Sequence, residues 1–334
     1  MSKKVLIRAV YGLILLCCLV AAAGIGTLLE TKQFVFNKVE ENSVAEVPTG
    51  PFPVSVDPEN QTITENDLLK NFSYDTFAYA PKNPDSWKEK VVAFFAKKEW
   101  YQTLASPVSR ILVIWPGERK EEVAKEFGDI LGWSPGERAL FIKTITDADP
   151  ALTEGKFYPG QYVAQKDAGP EEVATLLQQK FDSDILSRYT PEVEAKVPLN
   201  EALTVASLLE REASDFDNMR EISGVIWNRL FSDMPLQLDA TLQYVKGAKS
   251  SEKTWWPVPK PADKYLKSPY NTYANKGLPP GPIASPSAAA VLAALNPVPT
   301  DCLFYFHDEK HVYHCSNTYE EHVQKLKARY GRGK

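Results

Sequence analysis

An uncharged, apolar run from Ala9 to Leu29 constrains this chain more than any other feature. As a helix the run would be roughly 30 Å long, about the thickness of the hydrocarbon core of a bilayer. The preceding residues 1–8 carry three basic side chains, which predicts a cytoplasmic tail before a transmembrane helix at 9–29. The small residues at 21–23 also resemble a signal-peptide cleavage site, so a cleaved leader is the alternative. Either interpretation places the body of the protein outside the cytoplasm, anchored to the cytoplasmic membrane in the first case.

The net charge and the length of the chain limit the partners and the number of domains that we expect. The 334 residues hold 38 Lys and Arg against 43 Asp and Glu, a net charge of −5. Because the body has no strongly basic block, nucleic acid is not expected as a partner. The length suffices for two modest domains with their own hydrophobic cores.

The body divides into three regions by residue pattern. Residues 30–107 are rich in Pro, Thr and Asn, which predicts a linker or irregular N-terminal region. Residues 108–197 start with RILVIW (110–115), a buried type of strand, and continue with helical stripes that predict an α/β subdomain. Residues 198–334 predict a mainly helical catalytic domain with a small β-sheet, closed by a helix that starts at the capping box Thr318-x-x-Glu321. The expected fold class is α+β.

Two carboxylates end an otherwise apolar helical segment, LNEALTVASLLEREAS. Glu210 and Glu212 lie about 200° apart on a helix, so both cannot act on one face of a substrate. A carboxylate that emerges from a leucine-rich helix end loses hydration and its pKa rises, as a general acid requires. The helical projection does not choose between the two residues, and an ordinary solvated helix end is the alternative.

Two further stretches carry polar side chains suited to a ligand. LQLDATLQY (236–244) places Gln237 and Asp239 on the same side if it is extended, which suits sugar or amide recognition as well as a half-exposed strand. SPYNTYANKGLPPGPIASP (268–286) can form neither a helix nor an inner strand, because its five prolines remove donors and restrict φ. It presents Tyr270, Asn271 and Tyr273, either as binding groups on a stiff loop or as part of a surface connection.

Histidines and cysteines concentrate near the C-terminus: His307, His311, His314, His322, Cys302 and Cys315. The cluster raises the hypothesis of a zinc site. Strand alternation favours another arrangement, because a two-residue turn at 308–309 would set Cys302 opposite Cys315, about 4.5 Å apart at Cα. We therefore expect a Cys302–Cys315 disulfide, which an exported location permits. Unpaired core cysteines are the remaining alternative.

Several motifs in order resemble the endolytic murein transglycosylase family, also called MltG or YceG-like. The motifs are ASLLEREAS (206–214), VIWNRL (225–230), LQLDATLQY, SPYNTYANKGLPPGPIASP, AALNP (293–297) and YHCSNTYEEH (313–322). The resemblance runs from about Glu118 to the C-terminus. The sequence departs from the family in reading LQLDAT for LQTDPT and Glu-Arg-Glu for Glu-Lys-Glu, and no LysM-like segment is recognisable in residues 30–107.

The resemblance implies a reaction and a set of site residues. The family cleaves the β-1,4 bond between N-acetylmuramic acid and N-acetylglucosamine in peptidoglycan without water, and leaves a 1,6-anhydro ring. By motif the acid is Glu210, and the Tyr270, Asn271, Thr272 and Tyr273 loop lines the cleft, where Asn271 and Tyr273 orient an N-acetyl group. Gln237 and Asp239 complete the expected substrate-binding set. No metal or cofactor is implied, and the partners are glycan strands near the membrane, with peptidoglycan synthases as candidates.

Three other functions remain open from the sequence alone. Glu210 and Asp239 could form a two-carboxylate glycoside hydrolase, with Asp239 as base or nucleophile. An anchored, non-catalytic scaffold that binds the cell wall would not need Glu210. A zinc hydrolase would use the histidine cluster.

Overall fold

The computed structural model describes residues 50–66, 69, 108–147, 152–248 and 254–331. These belong to one of two compact units, formed by Val47–Tyr79 and Val108–Lys334. The predicted tail, the apolar run at 9–29 and most of the predicted linker lie outside the described residues. Where the chain is described, no helix is both long and apolar enough to cross a membrane.

The first part of this unit is a two-stranded sheet covered by helices. Strands β3 (Ser109–Ile114) and β4 (Gly160–Gln165) are antiparallel, with Ile114 opposite Gly160. Helices α1 (Lys120–Leu131) and α2 (Pro135–Asp147) connect the strands, and α3 (Pro170–Asp184) follows them. One core buries the inward side of the sheet against these helices; its largest members include Leu112, Ile114, Phe127, Phe141, Phe157 and Leu177. The strand predicted at 110–115 is confirmed to within one residue.

The second part is a helical assembly built around one buried helix. Its elements are α4 (Pro191–Lys196), α5 (Leu199–Glu212), α6 (Phe216–Phe231), α7 (Asp239–Gly247) and α8 (Ala288–Leu295). Every residue of α8 is buried, and five of its eight are alanine, so α5 and α6 can pack closely against it. The predicted mixture of helices and small sheets, an α+β fold, is confirmed.

The last carbonyl groups of a helix have no partner within the helix, and leaving them unbonded in the core is costly. Helix α6 supplies hydrogen-bond donors at the C-terminal end of α8. The indole of Trp227 donates to the Ala294 carbonyl, and Arg220 Nε donates to the Asn296 carbonyl, both at 2.9 Å. The Asn228 side-chain amide donates to the Thr300 carbonyl at 2.6 Å. The motif VIWNRL therefore ties the chain after α8 to α6.

Residues 50–66 correct the linker prediction for that segment. They form a hairpin of β1 (Val56–Asp57) and β2 (Thr62–Ile63). Phe52 and Val56 join the core of the helical assembly, and the Arg188 guanidinium lies 3.9 Å from the centre of the Phe52 ring. The linker prediction rested on the polar composition of the segment, which contains only a few apolar residues that become buried.

A C-terminal hairpin and helix complete the described fold. Strands β5 (Phe304–His307) and β6 (Tyr313–Ser316) pair with Tyr305 opposite Cys315. Helix α9 (Tyr319–Tyr330) follows, and the Thr318 side chain accepts from the Glu321 N–H as the capping box predicts.

The register of this hairpin differs from the prediction. The connection is not a two-residue turn but runs from 308 to 312, because the Asp308 carboxylate accepts from the backbone N–H groups of Lys310 and Val312. Cys302 consequently lies before β5 and outside the ladder. The structure nevertheless joins it to Cys315 in a disulfide, with the Cα atoms 5.8 Å apart.

Candidate active site

A cavity of about 750 Å³ opens where α5 ends, between the segment before α7 and the C-terminal hairpin. One wall is polar and carries Glu212, Gln237, Asp239, Lys264 and Tyr273. A second, aromatic wall carries Phe304, Tyr305, Phe306, His307, Tyr319 and His322. A concave site with a few convergent polar groups and an aromatic face is the usual form of a binding site for a small polar ligand or a sugar.

Glu212 is the carboxyl group of α5 that faces this cavity. One carboxylate oxygen accepts from the Tyr305 hydroxyl at 3.0 Å, and the other accepts from the Ala240 N–H at 3.4 Å, in the first turn of α7. Burial raises the pKa of Glu212, the negative charge of Asp239 raises it further, and the hydrogen bonds from Tyr305 and Ala240 oppose the rise. Glu212 therefore has the environment of a proton donor.

Glu210, the acid that the family motif implies, does not line this cavity. It is 7% exposed, and its carboxylate accepts from the Ser287 N–H at 2.9 Å, directly before α8. A carboxylate at the start of a helix offsets the partial positive charge of the helix terminus. The two side chains point in different directions because they are two positions apart on α5. The packing of α8 on this helix determines that Glu210 bonds to the start of α8 and that Glu212 faces the cavity.

Gln237 and Asp239 line the cavity, but not on a strand. The extended conformation considered for residues 236–244 does not hold from Asp239 onward, where α7 begins. Gln237 adopts a positive φ of 52°, and its N–H donates to the Thr272 carbonyl at 3.0 Å. The Asp239 carboxylate accepts from the Tyr273 hydroxyl at 2.7 Å.

Of the four loop residues expected in the cleft, only Tyr273 lines the cavity. Asn271 is fully buried; its amide donates to the carbonyls of Lys264 and Leu266, and its oxygen accepts from the Tyr273 N–H. The Thr272 hydroxyl accepts from the Leu238 N–H at 3.0 Å. Tyr270 packs on Tyr244, with ring centres 4.9 Å apart. Through these bonds Asn271 and Thr272 hold Tyr273 and the start of α7.

The proline-rich half of the same loop is a buried strap. All residues from 281 to 290 are buried, and two N–H groups of the strap donate to acceptors elsewhere in the fold. Ile283 donates to the Ser207 hydroxyl at 3.0 Å, and Ser285 donates to the Glu118 carbonyl at 2.8 Å. Proline has no N–H, so it suits a buried irregular segment in which few acceptors are available.

The role of Asn271 leads to a stability prediction. Asn271→Ala removes three buried hydrogen bonds and should lower the free energy of unfolding by about 2–3 kcal/mol. The exposed Asn275→Ala change at the edge of the same loop removes bonds that water can replace, and should cost under about 1 kcal/mol. Chemical denaturation of both variants measures the difference. Equal losses would mean that Asn271 does not brace the loop.

Sequence reasoning missed two residues that shape the cavity. Tyr305 supplies the hydrogen bond to Glu212, and Arg229, also in the cavity wall, donates from Nη1 to the Leu236 carbonyl and from Nε to the Leu303 carbonyl, each at 2.6 Å. Arg229 thus joins the polar wall to the aromatic wall. The motif VIWNRL was a usable signal for Arg229, but nothing local in FYFH marks Tyr305.

The histidines take roles other than a metal centre. In the part of the chain that the structure describes, no three His, Cys, Asp or Glu side chains are grouped to hold a metal ion. His307 shares a hydrogen bond with Asn218, and His314 with Asp308. His322 lies against Phe304, with ring centres 5.6 Å apart. The zinc hypothesis has no geometric support among these residues.

Comparison with known proteins identifies relatives of this arrangement. Residues 90–328 match the YceG-like family. A protein named endolytic murein transglycosylase from Streptococcus pneumoniae is 33% identical over 171 residues, which are 51% of this chain and 31% of that protein. One of the same name from Bacillus subtilis is 33% identical over 178 residues, 53% of this chain and 48% of that protein. Both matches thus span less than half of the relative's own length.

A solved structure shares the fold. The crystal structure of a yceG-like protein from Listeria monocytogenes superposes with a TM-score of 0.56 at 28% sequence identity. The alignment covers 73% of this chain and 82% of that one.

Proposed function

The chain belongs to the YceG-like family, and we propose that it is an endolytic lytic transglycosylase of peptidoglycan. Its substrate would be the glycan strand, cut at the β-1,4 bond that follows N-acetylmuramic acid. The relatives named endolytic murein transglycosylase support this activity. The observation that carries it on this chain is the partly buried Glu212 carboxyl group, with its raised pKa, in the cavity between the polar and aromatic walls.

The proposed reaction uses Glu212 twice. Protonated Glu212 donates to the glycosidic oxygen as the bond from the muramoyl C1 to that oxygen breaks. The carboxylate then accepts the proton of the muramoyl 6-hydroxyl as O6 bonds to C1. The 1,6-anhydro ring closes, no water is consumed, and Glu212 ends protonated as it began.

Other cavity residues have supporting roles in this proposal. Asp239 places a second negative charge in the cavity, which favours the positive charge that develops at C1 in an oxocarbenium-like transition state. Tyr273 holds that carboxylate through its hydroxyl. The Phe304 and Tyr319 rings offer faces on which sugar rings can pack.

Product analysis tests the proposal. Sacculi incubated with the protein should release muropeptides with 1,6-anhydro ends, each lighter by one water than a reducing end. Mass spectrometry separates the two kinds of end. If nothing is released at all, a scaffold that binds without cutting becomes the better account.

A two-carboxylate hydrolase is the second candidate, since Glu212 and Asp239 share one cavity and interact electrostatically. Here Glu212 would take the place first assigned to Glu210, and Asp239 would act as base or nucleophile. Reducing ends in the products would favour this function.

Tyr305→Phe tests the tuning of Glu212 through pH dependence. The Tyr305 hydroxyl stabilises the ionised carboxylate, so its removal should raise the pKa of Glu212 further. Cleavage needs protonated Glu212, and the alkaline limb of the kcat/KM profile should therefore move to higher pH. Tyr265→Phe, at an exposed ring, is the matched control and should leave the profile in place. An unmoved or acid-shifted limb in the Tyr305 variant would show that this hydroxyl does not tune the acid.

We also propose that residues 9–29 anchor the protein in the cytoplasmic membrane with its body outside. The support is the apolar run and the basic tail before it. Tethering would concentrate the enzyme near newly made strands, where peptidoglycan synthases are candidate partners. An intact N-terminus on the mature protein supports the anchor, whereas a mature N-terminus near Gly24 would indicate a cleaved leader.

A further inference from the structure

Lys264 is a cation at the cavity wall that has no anionic partner among the described residues. Two other lysines, Lys246 and Lys276, pair with Asp263 at 2.7 Å and with Asp233 at 2.5 Å. Among the described residues no carboxylate lies within ion-pair distance of the Lys264 ammonium, which instead lies 4.8 Å from the centre of the Tyr273 ring. The other cation that lines the cavity, Arg229, already donates to backbone carbonyls. Lys264 is therefore the cavity cation that remains available to a ligand.

The backbone beneath Lys264 is held in place from two sides. It belongs to a 3₁₀ turn, Pro261–Tyr265. The Asp263 carboxylate of this turn accepts from the Lys260 N–H at 2.6 Å and from Lys246. The Lys264 carbonyl accepts from the buried Asn271 amide at 3.0 Å. A side chain on a braced turn is positioned with less loss of entropy on binding than one on a free loop.

Tyr273 connects Lys264 to the reaction centre. The Tyr273 hydroxyl donates to Asp239, which shares the cavity with Glu212, and the Lys264 ammonium lies over the face of that ring. A ligand with its scissile bond at Glu212 could thus reach Lys264 with an anionic group located beyond Asp239. Glu212 and Asp239 disfavour negative charge on a ligand elsewhere in the cavity. Lys264 therefore favours a ligand whose negative charge lies beside its ammonium over an uncharged ligand.

We propose that Lys264 binds a carboxylate of the peptide stem attached to the muramoyl residue that is cut. This inference rests on the proposed function, because it requires a glycan strand in the cavity. The sugars of such a strand are uncharged along the chain, and its carboxylates are on the peptide stems. Lys264 is then a specificity-determining residue that favours strands with stems over bare glycan.

The test compares two substrates with the full chain. Soluble glycan strands with intact stems are compared under identical conditions with the same strands after an amidase has removed the stems and the lactyl carboxylates that this exposes have been converted to neutral methylamides. The readout is the ratio of kcat/KM for stemmed strands to that for bare strands. For Lys264→Gln we expect this ratio to fall by about 2- to 5-fold, a small change because the ion pair is partly exposed to solvent. The change should be mostly in KM, because Lys264 binds the stem and does not take part in the reaction. Lys264→Arg should retain the preference.

Two controls distinguish a specific role of Lys264 from a general effect of positive charge near the cavity. Lys267→Gln removes an exposed lysine just beyond the turn that does not line the cavity, and should leave the ratio unchanged. Added salt should reduce the preference of the unsubstituted protein for stemmed strands. An unchanged ratio in Lys264→Gln, or an equal loss on both substrates, would overturn the inference while the proposed function stands. If the unsubstituted protein cuts neither substrate, the proposed function itself fails.

Discussion

Glu212→Gln is expected to lower the rate of glycan cleavage by about 10²- to 10⁴-fold, the usual contribution of a general acid–base group. The amide has nearly the shape of the protonated acid and can still accept a hydrogen bond from Tyr305. Only the transferable proton is lost, so the free energy of unfolding should change little. Rates of release of muropeptides from sacculi, measured beside a denaturation curve, give both quantities.

Glu210→Gln is the matched control from the same helix turn. Its amide oxygen can still accept from the Ser287 N–H, but the negative charge at the start of α8 is lost. We expect a loss of stability of about 1 kcal/mol and a rate within a few-fold of the unsubstituted protein. An inactive Glu210 variant beside an active Glu212 variant would restore the assignment made from the motif alone.

The largest expected loss of stability is at Glu154, which is fully buried and bonds to Lys120 of α1 and Tyr244 of α7. Its carboxylate accepts from the Lys120 ammonium at 2.6 Å, from the Lys120 N–H at 2.9 Å and from the Tyr244 hydroxyl at 3.0 Å. Glu154→Leu leaves this ammonium with Glu121, at 3.2 Å, as its remaining partner. The free energy of unfolding should fall by about 3 kcal/mol, at the lower end for a broken buried pair.

A double variant distinguishes a broken pair from poor packing. Lys120→Met together with Glu154→Leu removes both charges and leaves apolar groups of similar length. Replacing a buried ion pair with apolar side chains is often close to neutral, so the double variant should be more stable than Glu154→Leu alone. Chemical denaturation of the single and double variants completes the cycle. If the double variant were the less stable of the two, the loss would come from the shape of the site and not from the charge.

Patterns with a local physical cause were predictable from the sequence. The apolar strand around Leu112 is recognisable by composition, and the capping box at Thr318 is defined by two side chains within one turn. The segment after Leu238 was not predictable as a helix, because its start is stabilised by Thr272, which is distant in sequence and bonds to the Leu238 N–H. The hairpin register depends on Asp308, whose carboxylate holds a longer connection than the predicted turn.

The candidate site was predictable to a similar extent. Gln237, Asp239 and Tyr273 line the cavity as the motifs imply, since residues with exposed polar groups stand out in otherwise apolar or proline-rich stretches. The choice between Glu210 and Glu212 depends on the side of α5 that α8 covers, which is a tertiary contact without a local signal. Asn271 was assigned to the substrate because a buried amide and an exposed one look the same in a sequence.

Cleavage of glycan strands in water enriched in heavy oxygen tests most directly whether Glu212 drives ring closure by the substrate's own hydroxyl. Mass spectrometry of the new ends reports the oxygen that has bonded to C1. We predict 1,6-anhydro ends without heavy oxygen, formed by the unsubstituted protein and the Glu210→Gln variant and lost with Glu212→Gln. Reducing ends that carry one heavy oxygen would contradict the account and identify the protein as a hydrolase.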